Sequence, residues 1–436
     1  MRVRASFALG FLALILVGAA LLACPFARAD GAGGSFGTAL FTACSAVCVT
    51  GLTVVDVARE YSVAGQVVLM VLVELGCLGL MTCGTFFLIA IGRRLSLARE
   101  FTLMNAYGVA QIKGLRGLIC WVVGSMLVIE GAFAAALYLH FGDWYEAVFY
   151  SIMSFCNAGF GLKADSLASF PRGWPVVLMG VETILGGIGF LVIYNLCTFK
   201  FAHRASGARG RLSLHTRVVL RFTFYLLALA FLVFLAVEWR LSLAGMDLAD
   251  KAVVAFYQAV TPRTCGFTVV PTASLHPFTR LLYKCLMFVG GAPGSAAAGM
   301  KVTTLAVILY TTTAMCRGEA ETVIACRAIP TEIVREALVI LMAIVMFAVL
   351  VAGALFLTES GGAVASDALV FEAVSAVTTT GLSVGDTTAS LSTAGRAVVM
   401  VAMFIGRLGA LTVVLMIGDR ESKKHVRYPL EELVVG

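Results

Sequence analysis

Four short segments of this chain each carry a glycine whose placement would let neighbouring backbone carbonyls face a cation. They are Cys48-Val49-Thr50-Gly51-Leu52, Cys156-Asn157-Ala158-Gly159-Phe160, Thr264-Cys265-Gly266-Phe267 and Thr379-Thr380-Gly381-Leu382. The glycines lie 108, 107 and 115 residues apart. Each has a Phe ten residues earlier: Phe41, Phe149, Phe256 and Phe371. Each is followed, after 25, 27, 25 and 25 residues, by a G-x-x-G at Gly76/Gly79, Gly186/Gly189, Gly291/Gly294 and Gly406/Gly409. One such match is weak, but four in order at one period mark an internal repeat. None of the four motifs contains Asp or Glu, so the chemistry falls to the main chain. Rings of carbonyl oxygens can replace the water around a cation. Glycine suits them because it takes backbone angles that turn successive carbonyls one way. A short helix leading into each motif would aim its partially negative C-terminal end at the ion.

Other chemistries are poorly supplied. The five His are scattered, and no loop is long enough to fold alone as an enzyme domain. No P-loop lysine motif is present, so ATP hydrolysis is not expected, and the chain reads as a non-enzyme. Most of the twelve Cys, such as Cys77, Cys83, Cys120 and Cys285, sit in apolar runs, where a thiol behaves as a small hydrophobe. No CxxC pair or His-rich cluster suggests a metal site, and no covalently held cofactor is expected.

The elements that position the motifs follow from hydropathy. Hydrophobic residues make up 60% of the 436 residues and charged residues 13%. A soluble domain would run at about 45–50% and about 25%, so the solvent is lipid. Each unit opens with an apolar run, near 6–26, 117–141, 218–238 and 333–357, close to the ~20 residues of a spanning helix. A stretch of about ten residues then leads into the glycine; being too short to span, it reads as re-entrant. A second apolar run follows, near 64–91, 174–199, 280–315 and 393–418. The expectation is an all-α membrane protein of eight spans and four half-spans, in four pseudo-repeats around one pore. The repeats divide at 1–100, 101–212, 213–325 and 326–436, with pore loops near 41–52, 149–160, 256–267 and 371–382. The G-x-x-G sets read as small-residue helix contacts. Ala27-Arg28-Ala29 resembles a signal-peptidase site and Leu21-Leu22-Ala23-Cys24 a lipoprotein box, but the repeat needs the first run as a helix.

Orientation comes from basic residues in short loops. Arg93, Arg94, Arg99, Lys113 and Arg116 follow the first unit, and Lys200, Arg204, Arg209, Arg211 and Arg217 the second. Arg317, Arg327 and Arg335 follow the third, and Arg420, Lys423, Lys424 and Arg427 lie in the tail. These sides are read as cytoplasmic, with both termini. The net charge of +7 is explained by these loops without nucleic acid.

These residues resemble the Trk/Ktr/HKT potassium transporters over nearly the whole chain. Phe41 through Asp56 is similar to that family's first pore loop, Phe155 through Phe160 to its second, and Val260-Thr261-Pro262-Arg263-Thr264-Cys265-Gly266-Phe267 to its third. Leu212 through Thr216, Arg427-Tyr428-Pro429 and Glu431-Glu432 also match. The length and C-terminus are more similar to the Ktr membrane (KtrB-type) subunit than to the longer Trk form. The resemblance implies potassium as substrate and sodium as activator. It also implies a bacterial-type inner membrane location, a homodimer, and a cytosolic ring of nucleotide-binding, RCK-type regulatory subunits. Glycine in all four loops goes with potassium, where serine in the first loop of some members goes with sodium. The rivals are the membrane subunit of a potassium-pumping ATPase complex and a sodium or non-selective monovalent cation transporter.

The resemblance also implies that Gly290-Gly291-Ala292-Pro293-Gly294-Ser295-Ala296-Ala297-Ala298-Gly299 is an intramembrane gating loop. The three alanines depart from the family's usual Gly/Thr-rich form. Arg407, an intramembrane arginine, is expected to face the pore below the filter and pair with a loop carbonyl. Lys301 is either part of the gate or a residue snorkelling to the cytoplasmic interface. Glu74, Glu130 and Glu182 lie in spans and would pair with Arg or be protonated. Hydroxyls of Thr50, Thr264, Thr379 and Thr380 stand at the filter or bond local backbone.

Overall fold

The computed structural model describes residues 2–31, 34–79, 115–163, 165–170, 172–206, 212–319, 321–360 and 364–409. The basic residues expected at 93–113, 209–211 and 420–427 lie outside the described residues, as do the C-terminal motif at 427–432 and the C-terminal parts of two predicted spans, 80–91 and 410–418. What is described is almost wholly helical. The first quarter holds α1 (Arg2–Ala23), α2 (Phe36–Val47) and α3 (Val63–Leu78). The second holds α4 (Leu115–Phe141), α5 (Trp144–Phe155), α6 (Trp174–Ile188) and α7 (Phe190–Ser206). The third holds α8 (Leu214–Glu238), α9 (Leu248–Val260), α10 (Pro277–Met287) and α11 (Val302–Cys316). A two-residue β-hairpin follows, Val323–Ile324 with Arg327–Ala328, and then α12 (Thr331–Thr358), α13 (Ser366–Thr378) and α14 (Thr393–Leu408).

Three segments, Ile119–Phe141 in α4, Leu214–Glu238 and Thr331–Thr358, are long and apolar enough to cross a bilayer, with mean hydropathy 1.9, 2.4 and 3.0. Only 28%, 22% and 22% of each apolar window is buried within the protein. Their outward side chains include Val128, Leu232, Val349 and Leu350. Such surfaces are stable against lipid and not against water, so the chain is a multi-pass helical membrane protein.

The four short helices α2, α5, α9 and α13 are 12, 12, 13 and 13 residues long, too short to span. Their C-terminal halves are buried, and Phe41, Phe149 and Phe371 anchor them at 1% exposure or less. The fourth Phe of the repeat, Phe256, is half-buried and lies against Gly180 of α6.

Among the described residues the predicted second spans of the second and third units are broken, and the helices of the first and fourth end at a glycine. Gly79, Gly189 and Gly409 cap α3, α6 and α14 with φ of 74°, 94° and 86°. Glycine reaches these angles without a Cβ penalty, which makes it a helix stop. After Gly189 the chain resumes as α7, turned by 95° from α6. In the third quarter the break widens to residues 288–301, between α10 and α11. The second glycine of each of these three sets therefore ends its helix in a left-handed conformation, and Gly189 is in addition packed closely against Pro293 O and Ala292.

The first glycine is a contact. A Cβ on Gly76, Gly186 or Gly406 would collide with the carbonyl oxygen of Val47, Phe155 or Val377, at the ends of α2, α5 and α13. The broken helices are thereby seated against the short ones. Gly186→Ala should lower the detergent melting stability by about 1–3 kcal/mol. Gly131→Ala, where nothing lies within 4 Å, should be neutral or stabilising through helix propensity. Equal melting temperatures for the two variants would contradict this packing.

The segment resembling a signal-peptidase site is folded into the protein. Ala27 is fully buried, its carbonyl accepts from the Ser62 N–H at 3.0 Å, and Arg28 pairs with Glu60 at 2.5 Å.

Candidate functional site

All four glycines at the ends of the short helices have positive φ: Gly51 90°, Gly159 70°, Gly266 82° and Gly381 84°. Two residues before each stands a non-glycine residue that is also left-handed: Val49 at 54°, Asn157 at 58°, Thr264 at 65° and Thr379 at 49°. A residue with positive φ reverses its peptide plane. Positive φ at alternate residues therefore brings successive carbonyls to one side, the arrangement a carbonyl-lined cation site needs. Val49, Thr264 and Thr379 are β-branched, and such residues hold this conformation only where their surroundings impose it. The N–H groups of Thr50, Ala158 and Thr380 donate back to Ser45 O, Met153 O and Ser375 O at 2.8, 2.9 and 2.8 Å. Gly51 N–H adds a bond to Ser45 Oγ at 3.1 Å. The third loop differs. Cys265 N–H reaches Thr261 O at 3.2 Å, because Pro262 interrupts the end of α9 and Arg263 N–H takes Val260 O.

The four loops meet in a closed cycle. A Cβ on Gly51 would strike Ala158 O, and one on Gly381 would strike Thr50 O. At Gly159 it would meet Gly266 Cα at 2.8 Å and Cys265 O at 3.0 Å. At Gly266 it would meet Gly159 Cα at 2.9 Å and Thr380 O at 3.0 Å. Each glycine thus abuts the carbonyl that precedes the next glycine. A cavity of about 430 Å³ is lined by all four glycines together with Asp56, Asp165, Asp386 and one cation, Lys163. Asp56 is partly engaged, accepting from Ala58 N–H at 3.0 Å.

Most side chains of the motifs are packed into the surrounding core, although Leu52 and Leu382 also border the cavity. Leu52, Ala158, Phe160, Phe267 and Leu382 belong to the apolar core. The Asn157 amide reaches Ser154 O and Thr183 O at 3.0 and 3.2 Å. Thr380 Oγ1 meets Thr378 Oγ1 at 2.8 Å, while the hydroxyls of Thr50, Thr264 and Thr379 are buried without a partner among the described residues. The site is made of backbone.

Behind the loops, the short helices hold the strands that return from the glycines. Tyr150 OH accepts from Leu162 N–H at 3.1 Å, and Gln258 Nε2 donates to Val270 O at 2.9 Å. In the fourth loop Glu372 accepts from Ser383 Oγ at 2.8 Å and from Thr388 Oγ1.

The 288–301 break is knitted to itself and to the break after α6. Gly290 N–H donates to Met300 O, Ala292 N–H to Gly187 O and Phe190 N–H to Gly294 O, at 2.9, 2.9 and 3.0 Å. Gly294 and Gly299 have φ of 68° and 70°. A Cβ on Gly290 would collide with Ala298 O, and one on Gly291 would lie 2.7 Å from Ser295 Oγ. Pro293 O lies beside Gly189. Ala296, Ala297 and Ala298 are buried, so these three side chains fill space rather than face an open path.

Three cationic side chains close on carbonyls of this segment. Arg407 donates to Ala296 O at 2.7 Å and also to Gly76 O and Cys77 O at 2.6 and 3.4 Å. One guanidinium on α14 therefore ties the segment to the end of α3. Lys301 donates to Ala297 O at 2.8 Å, so its ammonium turns back to the loop instead of snorkelling outward. Arg263, which spacing alone did not single out, donates to Gly290 O at 3.2 Å and Thr223 Oγ1 at 3.5 Å. Its only sequence signal was a charge three residues before a motif glycine.

The buried acids do not pair with arginine among the described residues. Ser151 Oγ lies 2.5 Å from Glu182 Oε1 and 2.8 Å from Glu130 O, and Cys156 Sγ lies 3.8 Å from Glu130 Oε1.

A family model described as a cation transport protein, TrkH, matches residues 22–428. Ktr system potassium uptake protein B of Bacillus subtilis is 35% identical over 443 residues, covering 98% of this chain and 96% of the relative. Potassium/sodium uptake protein NtpJ of Enterococcus hirae is 33% identical over 442 residues, with 98% and 96% covered. The crystal structure of the potassium transporter TrkH from Vibrio parahaemolyticus superposes with a TM-score of 0.71 at 19% identity, covering 94% of this chain and 84% of that one.

Proposed function

Since this chain belongs to the TrkH family of cation transport proteins, we propose that it is the ion-conducting subunit of a potassium uptake system. The closed cycle of four positive-φ glycines, each against the next loop's carbonyl, carries this reading. Potassium is the substrate. It sheds its water to the carbonyls of Val49, Thr50, Asn157, Ala158, Thr264, Cys265, Thr379 and Thr380, whose direction the glycines set. The four helix–re-entrant loop–broken helix units, divided near residues 100, 212 and 325, surround this one path. The acidic cavity faces outside, and its Asp56, Asp165 and Asp386 concentrate cations there. Transport runs down the electrochemical gradient, and the protein is a transporter rather than an enzyme.

The 290–299 segment is the gate in this proposal, held shut by Arg407 and Lys301. A cytosolic ring of nucleotide-binding, RCK-type subunits acts on it, in a homodimer of this chain. Two relatives named as parts of the Ktr system favour that assembly. Both termini are cytosolic in this reading, on the side of the basic loops. Protease cleavage of a terminal tag from outside intact cells would contradict the orientation.

Sodium stimulates uptake in the first reading and is itself carried in the second, which the relative named for potassium and sodium favours. Rubidium-86 uptake by proteoliposomes, measured with and without sodium, separates them. Stimulation at low sodium supports the first reading. Sodium-22 uptake at a rate matching rubidium supports the second. Absence of any rubidium uptake, with the chain inserted and its regulators present, rules out both.

A further inference from the structure

Resting on the reading of the four glycines as an ion path, we propose that Glu372 is a positioning residue for ion discrimination. From behind the fourth loop its carboxylate fixes the strand that leaves Gly381. Glu372 lies on α13, nine residues before Gly381, and is fully buried. Its Oε2 accepts from Ser383 Oγ at 2.8 Å, and its Oε1 accepts from Thr388 Oγ1. The two hydroxyls also lie 3.3 Å from one another. Ser383 and Thr388 both line the 430 Å³ cavity, beside Gly381 and Leu382. One carboxylate thus holds two points of the cavity wall, two and seven residues beyond the glycine.

The other short helices carry neutral residues nine positions before their glycines: Thr42, Tyr150 and Tyr257. The return strands of the second and third loops are held by a phenol, at Tyr150, and by a neighbouring amide, at Gln258, while Thr42 Oγ1 bonds Thr38 O within its own helix. Only the fourth uses an acid. Burying a carboxylate is costly unless it is paired, and among the described residues Glu372 makes no ion pair. A neutral staple would cost less, so stability alone gives no reason for the acid. A carboxylate can accept two donors at once from a fixed position, which an alanine cannot do. A carbonyl site discriminates between ions by the number and placement of its oxygens. A strand released just past Gly381 would blur that placement in one of four loops.

The test is rubidium-86 uptake in proteoliposomes of the full chain, with competition by unlabelled potassium and by sodium. Glu372→Ala is expected to reduce the preference for potassium over sodium by about tenfold, the scale of a lost hydrogen bond to a charged group. Glu372→Gln keeps one acceptor and can donate to the other hydroxyl, so it should stay within about threefold of wild type. Should Glu372→Ala fail to insert, the pair Ser383→Ala with Thr388→Val removes the same two bonds and is expected to lose the same preference. A purely structural role would lower the melting temperature in these variants and leave the ion ratio alone, and that result overturns the proposal. Gly381→Ser is run beside them. If it shifts the ratio while the Glu372 and hydroxyl variants do not, the role of Glu372 is wrong and the ion path stands. If Gly381→Ser also leaves the ratio unchanged, both fall.

Discussion

Serine at Gly51, Gly159, Gly266 or Gly381, introduced singly, is expected to cut the preference for potassium over sodium by one to two decades. Two costs act together. Each glycine holds φ between 70° and 90°, and a side chain in that region costs about 1–2 kcal/mol. The new Cβ also meets backbone, which cannot swing aside as a side chain can. Each 1.4 kcal/mol of differential affinity is about tenfold. The neighbours rank the four. Gly51 and Gly381 face carbonyl oxygens of Ala158 and Thr50 in direct collision, whereas at Gly159 and Gly266 the nearest atoms are Cα atoms at 2.8 and 2.9 Å. The first pair should lose more selectivity, because there the displaced atom is itself a proposed ligand. Competition of rubidium-86 uptake by potassium and by sodium gives the ratio directly. Unchanged ratios in all four inserted variants would remove the basis for assigning the path to these loops.

Arg407→Ala should raise unregulated flux by tenfold or more. The guanidinium donates to Ala296 O, Gly76 O and Cys77 O, so its loss frees the 290–299 segment from both α14 and α3. Hydrogen bonds to a charged group are worth about 1.5–3 kcal/mol each, enough to shift a closed segment substantially toward open. The change also removes a fixed positive charge from beneath the site, which lowers the barrier to a cation in a medium of low dielectric. Arg407→Lys keeps the charge but cannot span two elements with one planar fork, so its flux should lie between wild type and alanine. Shortening the 290–299 segment should act in the same direction. Rubidium efflux from vesicles without regulatory subunits measures all three. Wild-type flux in both the alanine and the shortened variants would reduce the segment to a packing kink.

Much of this was legible in the residues because glycine is informative when it repeats. The period, the four motifs and the preceding short helices follow from spacing alone, and the structure places a positive φ at every one of the four glycines. The left-handed residues two positions earlier were not legible. Asn157 tolerates such angles, but Val49 carries no signal, since its conformation is imposed by the neighbouring turn and not by its own preference. The second glycines of the G-x-x-G sets were read as contacts from spacing that fits both contact and break. The positive φ at Gly79, Gly189 and Gly409 shows the helix end, and at Gly189 contact and break coincide. Arg407 was expected to meet a loop carbonyl and does, but its reach to Gly76 and Cys77 joins residues more than 300 positions apart, which no local pattern encodes. For Lys301 the sequence left a gating position and snorkelling both open, because its place after the loop suits either; the carbonyl of Ala297 is the acceptor it reaches. Glu372 was not legible because it lies outside the repeated motif, on the short helix that supports the loop, and Arg263 stands inside the third-loop segment but has no counterpart in the other three motifs to mark its charge.

Potassium is expected to rest between the four loops, at the carbonyls around Gly51, Gly159, Gly266 and Gly381. Crystals grown in rubidium and measured at its absorption edge test this most directly. The account predicts an anomalous peak on the axis of the cycle, within coordination distance of Thr50 O, Ala158 O, Cys265 O and Thr380 O, and its loss in Gly51→Ser. A rubidium peak found only elsewhere, for instance at Glu130 and Glu182, with the centre of the cycle empty, would contradict it.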